Sequence, residues 1–192
     1  MCGIVGYIGY RNAADVCMEG LLRLEYRGYD SFGIAAVSPE IALFKETGKI
    51  SAAKDSVTLK GTCAIGHTRW ATHGVPSKTN AHPFTDCTGK IAVVHNGIIE
   101  NYAELKRELQ NRGHTFVSET DTEVIPHLIH KFMDEGFDLE HAVRKTIDIL
   151  DGAYAIAAIS INEPDKIVAT RKDSPLIVGI GNGENFLASD IP

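Results

Sequence analysis

Ala153-Tyr154-Ala155-Ile156-Ala157-Ala158-Ile159-Ser160-Ile161 carries apolar side chains on successive residues rather than on alternate ones. In a strand, neighbouring side chains point to opposite faces, so such a run needs apolar cover on both sides. Ile91-Ala92-Val93-Val94 makes the same demand. Around these runs, strands and helices fall in blocks instead of alternating one by one, which favours α+β over a doubly wound sheet. Two stacked sheets with helices outside each satisfy both features. A sandwich with one wet face does not.

Period and punctuation give the blocks. Cys2–Gly9 is short and apolar and reads as a strand. A helix follows, capped by Asn12, with Ala14, Cys17, Met18, Leu21 and Leu22 on one stripe. Strands are expected at Gly33–Val37, Ile41–Lys45, Thr62–His67 and Ile91–His95. Asn101 and Glu104 form a capping box for a second helix, Asn101–Arg112, which Gly113 closes. A third helix starts after Thr122 with Pro126 near its first turn, and Asp138 caps a fourth. Ala153–Ile161, Lys166–Arg171, Leu176–Ile180 and Asn185–Ala188 complete the strands. No repeat, low-complexity tract or linker divides the 192 residues, so 1–192 reads as one domain.

Composition narrows the function classes. Hydrophobic residues are 44% and charged residues 23%, as in ordinary globular chains. The net charge of −6, from 25 acidic and 19 basic residues, argues against nucleic acid or an anionic membrane as the main partner. No apolar run is long enough to span a bilayer, and no basic-then-apolar leader opens the chain, so a cytoplasmic protein is expected. Four cysteines are too few for a disulfide scaffold at this length.

The second residue carries the most chemistry. Removal of Met1 would leave Cys2 with a thiol and an α-amine whose ordinary pKa, roughly 7.7–8.0, suits proton transfer near neutral pH. Nucleophile and base would then belong to one residue. Met1-Cys2-Gly3-Ile4 alone reads more readily as the start of a buried strand. Three polar stretches at element ends shift that balance: Glu25–Ser31, His67–Gly74 and His95-Asn96-Gly97. Asn96-Gly97 can offer a side-chain amide and an unobstructed backbone N–H to a developing oxyanion. Its alternative is a hairpin turn, which the following Ile98-Ile99-Glu100, leading to a helix cap, makes less fitting.

Met1–Gly6, Leu24–Ser31, Gly66–Gly74, Asn80-Ala81-His82-Pro83 and Val94–Asn101 together resemble the class II, N-terminal-nucleophile glutamine amidotransferases over essentially the whole chain. The resemblance implies a four-layer αββα sandwich of the N-terminal-nucleophile hydrolase type. It implies Cys2 as nucleophile with its α-amine as proton carrier, and Asn96 with the Gly97 N–H as oxyanion hole. Arg69 would grip the α-carboxylate of L-glutamine, a task suited to a planar fork of donors. Asp121 would accept the α-ammonium, Trp70, Thr72 and His73 would lie on a loop closing over the substrate, and Arg27 would order the site near Cys2. No metal or organic cofactor is implied. The Glu25–Ser31 and His67–Gly74 variants are similar to the amino-sugar-forming branch of the family rather than the purine branch. That branch implies a longer, homo-oligomeric chain, with isomerase lobes beyond Ser189-Asp190-Ile191-Pro192 aminating fructose-6-phosphate. Phe32 stands where the family usually has a small residue, and Pro126 where an ordinary helix former is expected.

Three other readings compete. Cys63, His67, His73, His82 and Cys87 could supply zinc ligands, but no Cys-x-x-Cys or His-Glu-x-x-His pair is present. His127 and His130 read as partly exposed polar positions on one helix. Gly179-x-Gly181-x-Gly183 lacks the dinucleotide spacing and leads to a strand, not a helix. A domain that only binds glutamine would not need the full set of nucleophile, oxyanion and gripping residues.

Overall fold

The computed structural model describes residues 2–53, 56–70 and 75–191. Its first half holds β1 (Gly3–Ile8), α1 (Ala13–Arg23), β2 (Ser31–Ser38), β3 (Glu40–Thr47), β4 (Cys63–Arg69), β5 (Phe84–Thr85) and β6 (Ile91–Ile99). Three helices follow, α2 (Tyr102–Asn111), α3 (Val124–Asp134) and α4 (Leu139–Ile147). The chain then returns through β7 (Gly152–Ser160), β8 (Glu163–Lys172), β9 (Ile177–Ile180) and β10 (Asn185–Ala188). One sheet runs β3-β2-β4-β1-β10-β9 and the other β5-β6-β7-β8. Every strand pairing within them is antiparallel.

The four layers are visible in the cores. Ala14, Cys17, Met18 and Leu21 of α1 pack on the outer face of the first sheet with Ile34, Ala36 and Ala64. Leu105, Leu109, Ile125, Leu128, Ile129 and Val143 from α2, α3 and α4 pack on Val93, Ile156 and Ala158 of the second sheet. Between the sheets lie Ile4, Ala35 and Ile65 from one side and Ala92, Val94, Ala155, Ala157 and Ile159 from the other. Odd and even residues of β6 and β7 thus serve different cores, which accounts for apolar side chains on consecutive positions. Each fully buried Leu or Ile contributes about 1.5–3 kcal/mol, so the helix-covered core of the second sheet, richest in these residues, carries the largest share. Phe32 is fully buried beside Phe44, with ring centroids 6.0 Å apart. Pro126 sits in the first turn of α3, where its missing N–H costs no helix bond.

Three local expectations are corrected. β6 does not end at His95 but runs to Ile99, with Asn96 opposite Ala155 and Gly97 opposite Tyr154. Gly97 holds φ +135°, and a Cβ there would sit 1.9 Å from the Ala153 carbonyl oxygen, so the strand bends at a residue that only glycine fits. The Asn101–Glu104 capping box is not made. Asn101 instead donates Nδ2–H to Ile149 O (2.8 Å) and accepts from Asp151 N–H (3.1 Å), tying α2 to the approach of β7. Asp138 does cap α4, accepting from His141 N–H at 2.8 Å. Asn12 does not cap α1 through its side chain, whose Nδ2 donates to Leu59 O at 3.1 Å. Among the described residues, no helix is long and apolar enough to cross a membrane.

Candidate active site

β1 lies between β4 and β10, and the register Gly3↔Thr68 brings residue 2 alongside Arg69 and Trp70. The Trp70 backbone N–H donates to Cys2 Sγ at 3.2 Å, and the thiol lies 3.6 Å from Trp70 O. Two donors converge on the Cys2 carbonyl, Arg27 Nε and Asn96 Nδ2, each at 3.1 Å. Asn96 reaches it from the opposite sheet. Arg27 is anchored in turn by Asp190, 2.6 Å from its Nη1, and the Tyr26 hydroxyl donates to the same oxygen at 2.6 Å. Ser189 clamps β1 on both backbone groups of Ile4: its N–H donates to Ile4 O (3.0 Å) and its Oγ accepts from Ile4 N–H (2.9 Å).

A buried imidazole fixes which way Asn96 faces. His67 Nε2 lies 3.0 Å from the His95 carbonyl oxygen, which can only accept, so Nε2 carries the proton. Its second contact, 2.9 Å away, must then be Asn96 Oδ1, which turns Nδ2 toward residue 2. The His67 ring stacks on His82 with centroids 3.9 Å apart. His82 Nε2 and His95 Nδ1 share the Thr122 hydroxyl at 3.2 and 2.9 Å. Burial drives all three imidazoles toward the neutral form. His67 falls to about 3, His95 to about 4 against the pull of Asp121, and His82 well below its ordinary value. Burial likewise raises the Cys2 thiol, and the Trp70 N–H works the other way.

Arg69 is 4% exposed, far from the surface charge an isolated arginine suggests. With Cys2, Trp70, Gly97 and Asp121 it lines a narrow cleft of about 30 Å³. Asp121 is not a helix cap; its Oδ2 accepts from Ile99 N–H at 2.8 Å at the end of β6. The Trp70 indole is half exposed and meets Tyr29 edge-on at 5.4 Å. A second pocket of about 250 Å³, on the Arg27 and Asn96 side of Cys2, is bordered by Trp70, Gly97 and Ile98. Thr72 and His73 lie outside the described residues. The structure therefore brings Cys2, Arg27, Arg69, Trp70, Asn96, Gly97 and Asp121 to one place. A cavity of about 510 Å³ lies away from Cys2 between β8 and the β9–β10 pair.

Sequence reasoning missed four contributors. His67 orients Asn96, Thr122 joins two imidazoles, Asp190 holds Arg27, and Trp70 acts through its backbone N–H. None of these contacts has a local sequence signal, because each joins residues from different elements.

Comparison with known proteins agrees with this architecture. The family model described as glutamine amidotransferase domain matches residues 67–192. The chain belongs to the glutamine amidotransferase family. More particularly, it is 61% identical over 196 residues to the glutamine–fructose-6-phosphate aminotransferase (isomerizing) of Methanothermobacter thermautotrophicus, covering 100% of this chain and 33% of that protein. It is 55% identical to the Thermus thermophilus protein of the same name, covering 100% and 32%. The chain thus spans about a third of the length of these curated relatives. Among solved structures, a glutamine phosphoribosylpyrophosphate amidotransferase from B. subtilis complexed with ADP and GMP superposes with TM-score 0.84 at 30% identity. That match covers 98% of this chain and 42% of the other.

Proposed function

We propose that this chain hydrolyses L-glutamine to glutamate and ammonia on the Cys2 thiol. One juxtaposition carries the reading: a half-buried thiol, an amide donor held toward residue 2, and a buried Arg69 and Asp121 on the same cleft. Removal of residue 1 gives Cys2 an α-amine that takes the thiol proton, which burial otherwise holds in place. Sγ attacks the side-chain carbonyl carbon of glutamine, and the oxygen gains charge facing Asn96 Nδ2 and the Gly97 N–H. The carbon–nitrogen bond breaks as the proton passes to the leaving nitrogen, and ammonia departs. Water then attacks the γ-glutamyl thioester, releasing glutamate and restoring the thiol. Arg69 binds the α-carboxylate through its fork and Asp121 the α-ammonium, while Trp70, Thr72 and His73 cover the substrate. Arg27 acts as a positioning residue on the Cys2 carbonyl.

The names of the relatives support a wider reading. Residues 1–192 form the glutaminase domain of a cytoplasmic, homo-oligomeric glucosamine-6-phosphate synthase, and downstream isomerase lobes pass the ammonia to fructose-6-phosphate. The deciding experiment follows glutamate release and intact mass on the same preparations. Activity should track the fraction lacking residue 1 and vanish in Cys2→Ala. Full turnover by chains retaining Met1, or by Cys2→Ala, overturns the mechanism. Adding fructose-6-phosphate to this chain alone should yield no amino sugar.

A further inference from the structure

Four nitrogen and sulfur donors from three separate elements meet on the helical side of the second sheet. Cys87 follows β5, His114 follows α2, and His127 and His130 lie three residues apart on α3. Cys87 Sγ is 3.8 Å from His114 Nδ1 and 3.9 Å from His130 Nδ1, and His114 Nδ1 is 3.0 Å from His127 Nδ1. The Cys87, His114 and His127 donor atoms all lie within 4.8 Å of one another. With zinc–nitrogen bonds of about 2.0–2.1 Å and zinc–sulfur bonds of about 2.3 Å, tetrahedral ligand atoms sit roughly 3.3–3.6 Å apart. The three measured separations differ from that by less than about 0.5 Å. Of the residues considered for zinc on sequence grounds only Cys87 belongs here, and His127 is fully buried rather than partly exposed. Cys63 is buried in β4, and His67 and His82 belong to the site already described.

The surroundings of the two helical imidazoles separate them. His130 Nε2 lies 3.1 Å from Asp134 Oδ2, and His127 Nε2 lies 3.9 Å from Glu123 Oε1. For His127 the carboxylate behind Nε2 favours the tautomer with its proton there, which leaves the Nδ1 lone pair turned inward, whereas His130 Nδ1 faces Asp86 Oδ2 at 3.5 Å and stands outside the ligand set. Glu123 is held in place by the N–H groups of Val117 (2.8 Å) and Ser118 (2.7 Å). Asp86 is occupied by Ile91 N–H (2.8 Å) and by Thr88, so it shapes the turn that carries Cys87. Without a cation, the 3.0 Å contact between His114 and His127 needs one shared proton. We infer that a divalent zinc-like cation takes the place of that proton, bound by the Cys87 thiolate and Nδ1 of His114 and His127, with its fourth position open to water on the Cys87 side. Such a site would pin the turn after β5 to α3 and to the chain leaving α2. Cys87 is exposed, so the metal has an entry path, and no described residue of the cluster belongs to the Cys2 site.

The experiment titrates metal-stripped chain with Zn²⁺ against a chromogenic chelator and with Co²⁺ by absorbance. One cation per chain is expected, with a thiolate-to-cobalt charge-transfer band and d–d bands of tetrahedral intensity. Cys87→Ser, at an exposed position that tolerates the change, should abolish the charge-transfer band. It should also weaken zinc binding by more than about 100-fold, beyond the range typical of losing an outer-shell partner. Cys2→Ala should keep both properties. His114→Gln provides a second variant, with folding checked by circular dichroism. Absence of stoichiometric binding, or binding that survives Cys87→Ser and disappears in Cys2→Ala, overturns the inference. Neither result bears on glutamine hydrolysis, which is measured separately.

Discussion

Two clusters of histidines, an inner one beside Asn96 and an outer one beside Cys87, differ in what stands behind each ring. His67 stacks on His82, and His67, His82 and His95 are bonded to a carbonyl, an amide and the Thr122 hydroxyl. His114, His127 and His130 lie on the helical side, with a thiol in front and Glu123 and Asp134 behind. The first arrangement suits neutral imidazoles that hold shape. The second suits lone pairs gathered on a cation. Residue type is the same in both; the partner of the second ring nitrogen decides the chemistry.

The largest expected effect would break the inner cluster with acid. A base whose pKa is lower in the folded state binds fewer protons there than in the unfolded chain, so stability falls as pH drops below the unfolded value of about 6.5. For His67 and His95 the loss continues toward about 3 and about 4, where the folded state also takes up protons. Between pH 7 and pH 5, three such groups together cost up to about 6 kcal/mol. Denaturant melts at stepped pH should show this slope, and His82→Phe, which keeps a stacking ring, should remove about a third of it. A flat profile would deny that the inner rings are neutral in the fold.

Gly97→Ala comes next. Its Cβ would overlap the Ala153 carbonyl at a left-handed φ, so a loss of about 3 kcal/mol or more is expected in a melt. The inner cluster hangs on the backbone of β6, whereas the outer one hangs on side chains, and this variant should injure only the first. The third effect is kinetic. His67→Phe removes the donor that turns Asn96, so kcat should fall roughly tenfold or more with KM little changed, below the roughly 10²–10³ of losing an oxyanion donor outright. His67→Gln, which restores an N–H, should recover part of it, and an unchanged kcat in His67→Phe would remove His67 from this role. The smallest effect sharpens the outer side: His130→Gln, outside the ligand set, should change zinc binding by less than about tenfold while leaving glutamate release unaltered.

Layering and most elements were legible because they follow from period. Consecutive apolar residues in Ile91–Val94 and Ala153–Ile161 required two covered faces, and the cores supply them. Caps read from one residue were less secure: Asp138 caps α4, whereas Asn101 spends its amide on Ile149 and Asp151, partners 48 and 50 residues away. Arg69 and Asn96 stood out in polar stretches at strand ends and Cys2 by its place in the chain, whereas Asp121 came from the family resemblance alone. The role of His67, the anchoring of Arg27 by Asp190 and the gathering of Cys87 with His114 depend on tertiary register, which no short spacing encodes.

The position of β1 also bears on how the protein is made. The strand beginning at Gly3 is closed on one side by β10, and Ile4 is clamped by Ser189, 185 residues later. At a synthesis rate of 5–20 residues per second, about 10–40 s pass between emergence of the first residues and arrival of the last. Throughout that interval the amino terminus lacks its final neighbour and is open to any aminopeptidase. Once Ser189 closes on Ile4, the same end lies against Trp70 and Asn96. Order of emergence alone leaves an interval in which residue 1 can be removed before Ser189 closes on the strand beside it.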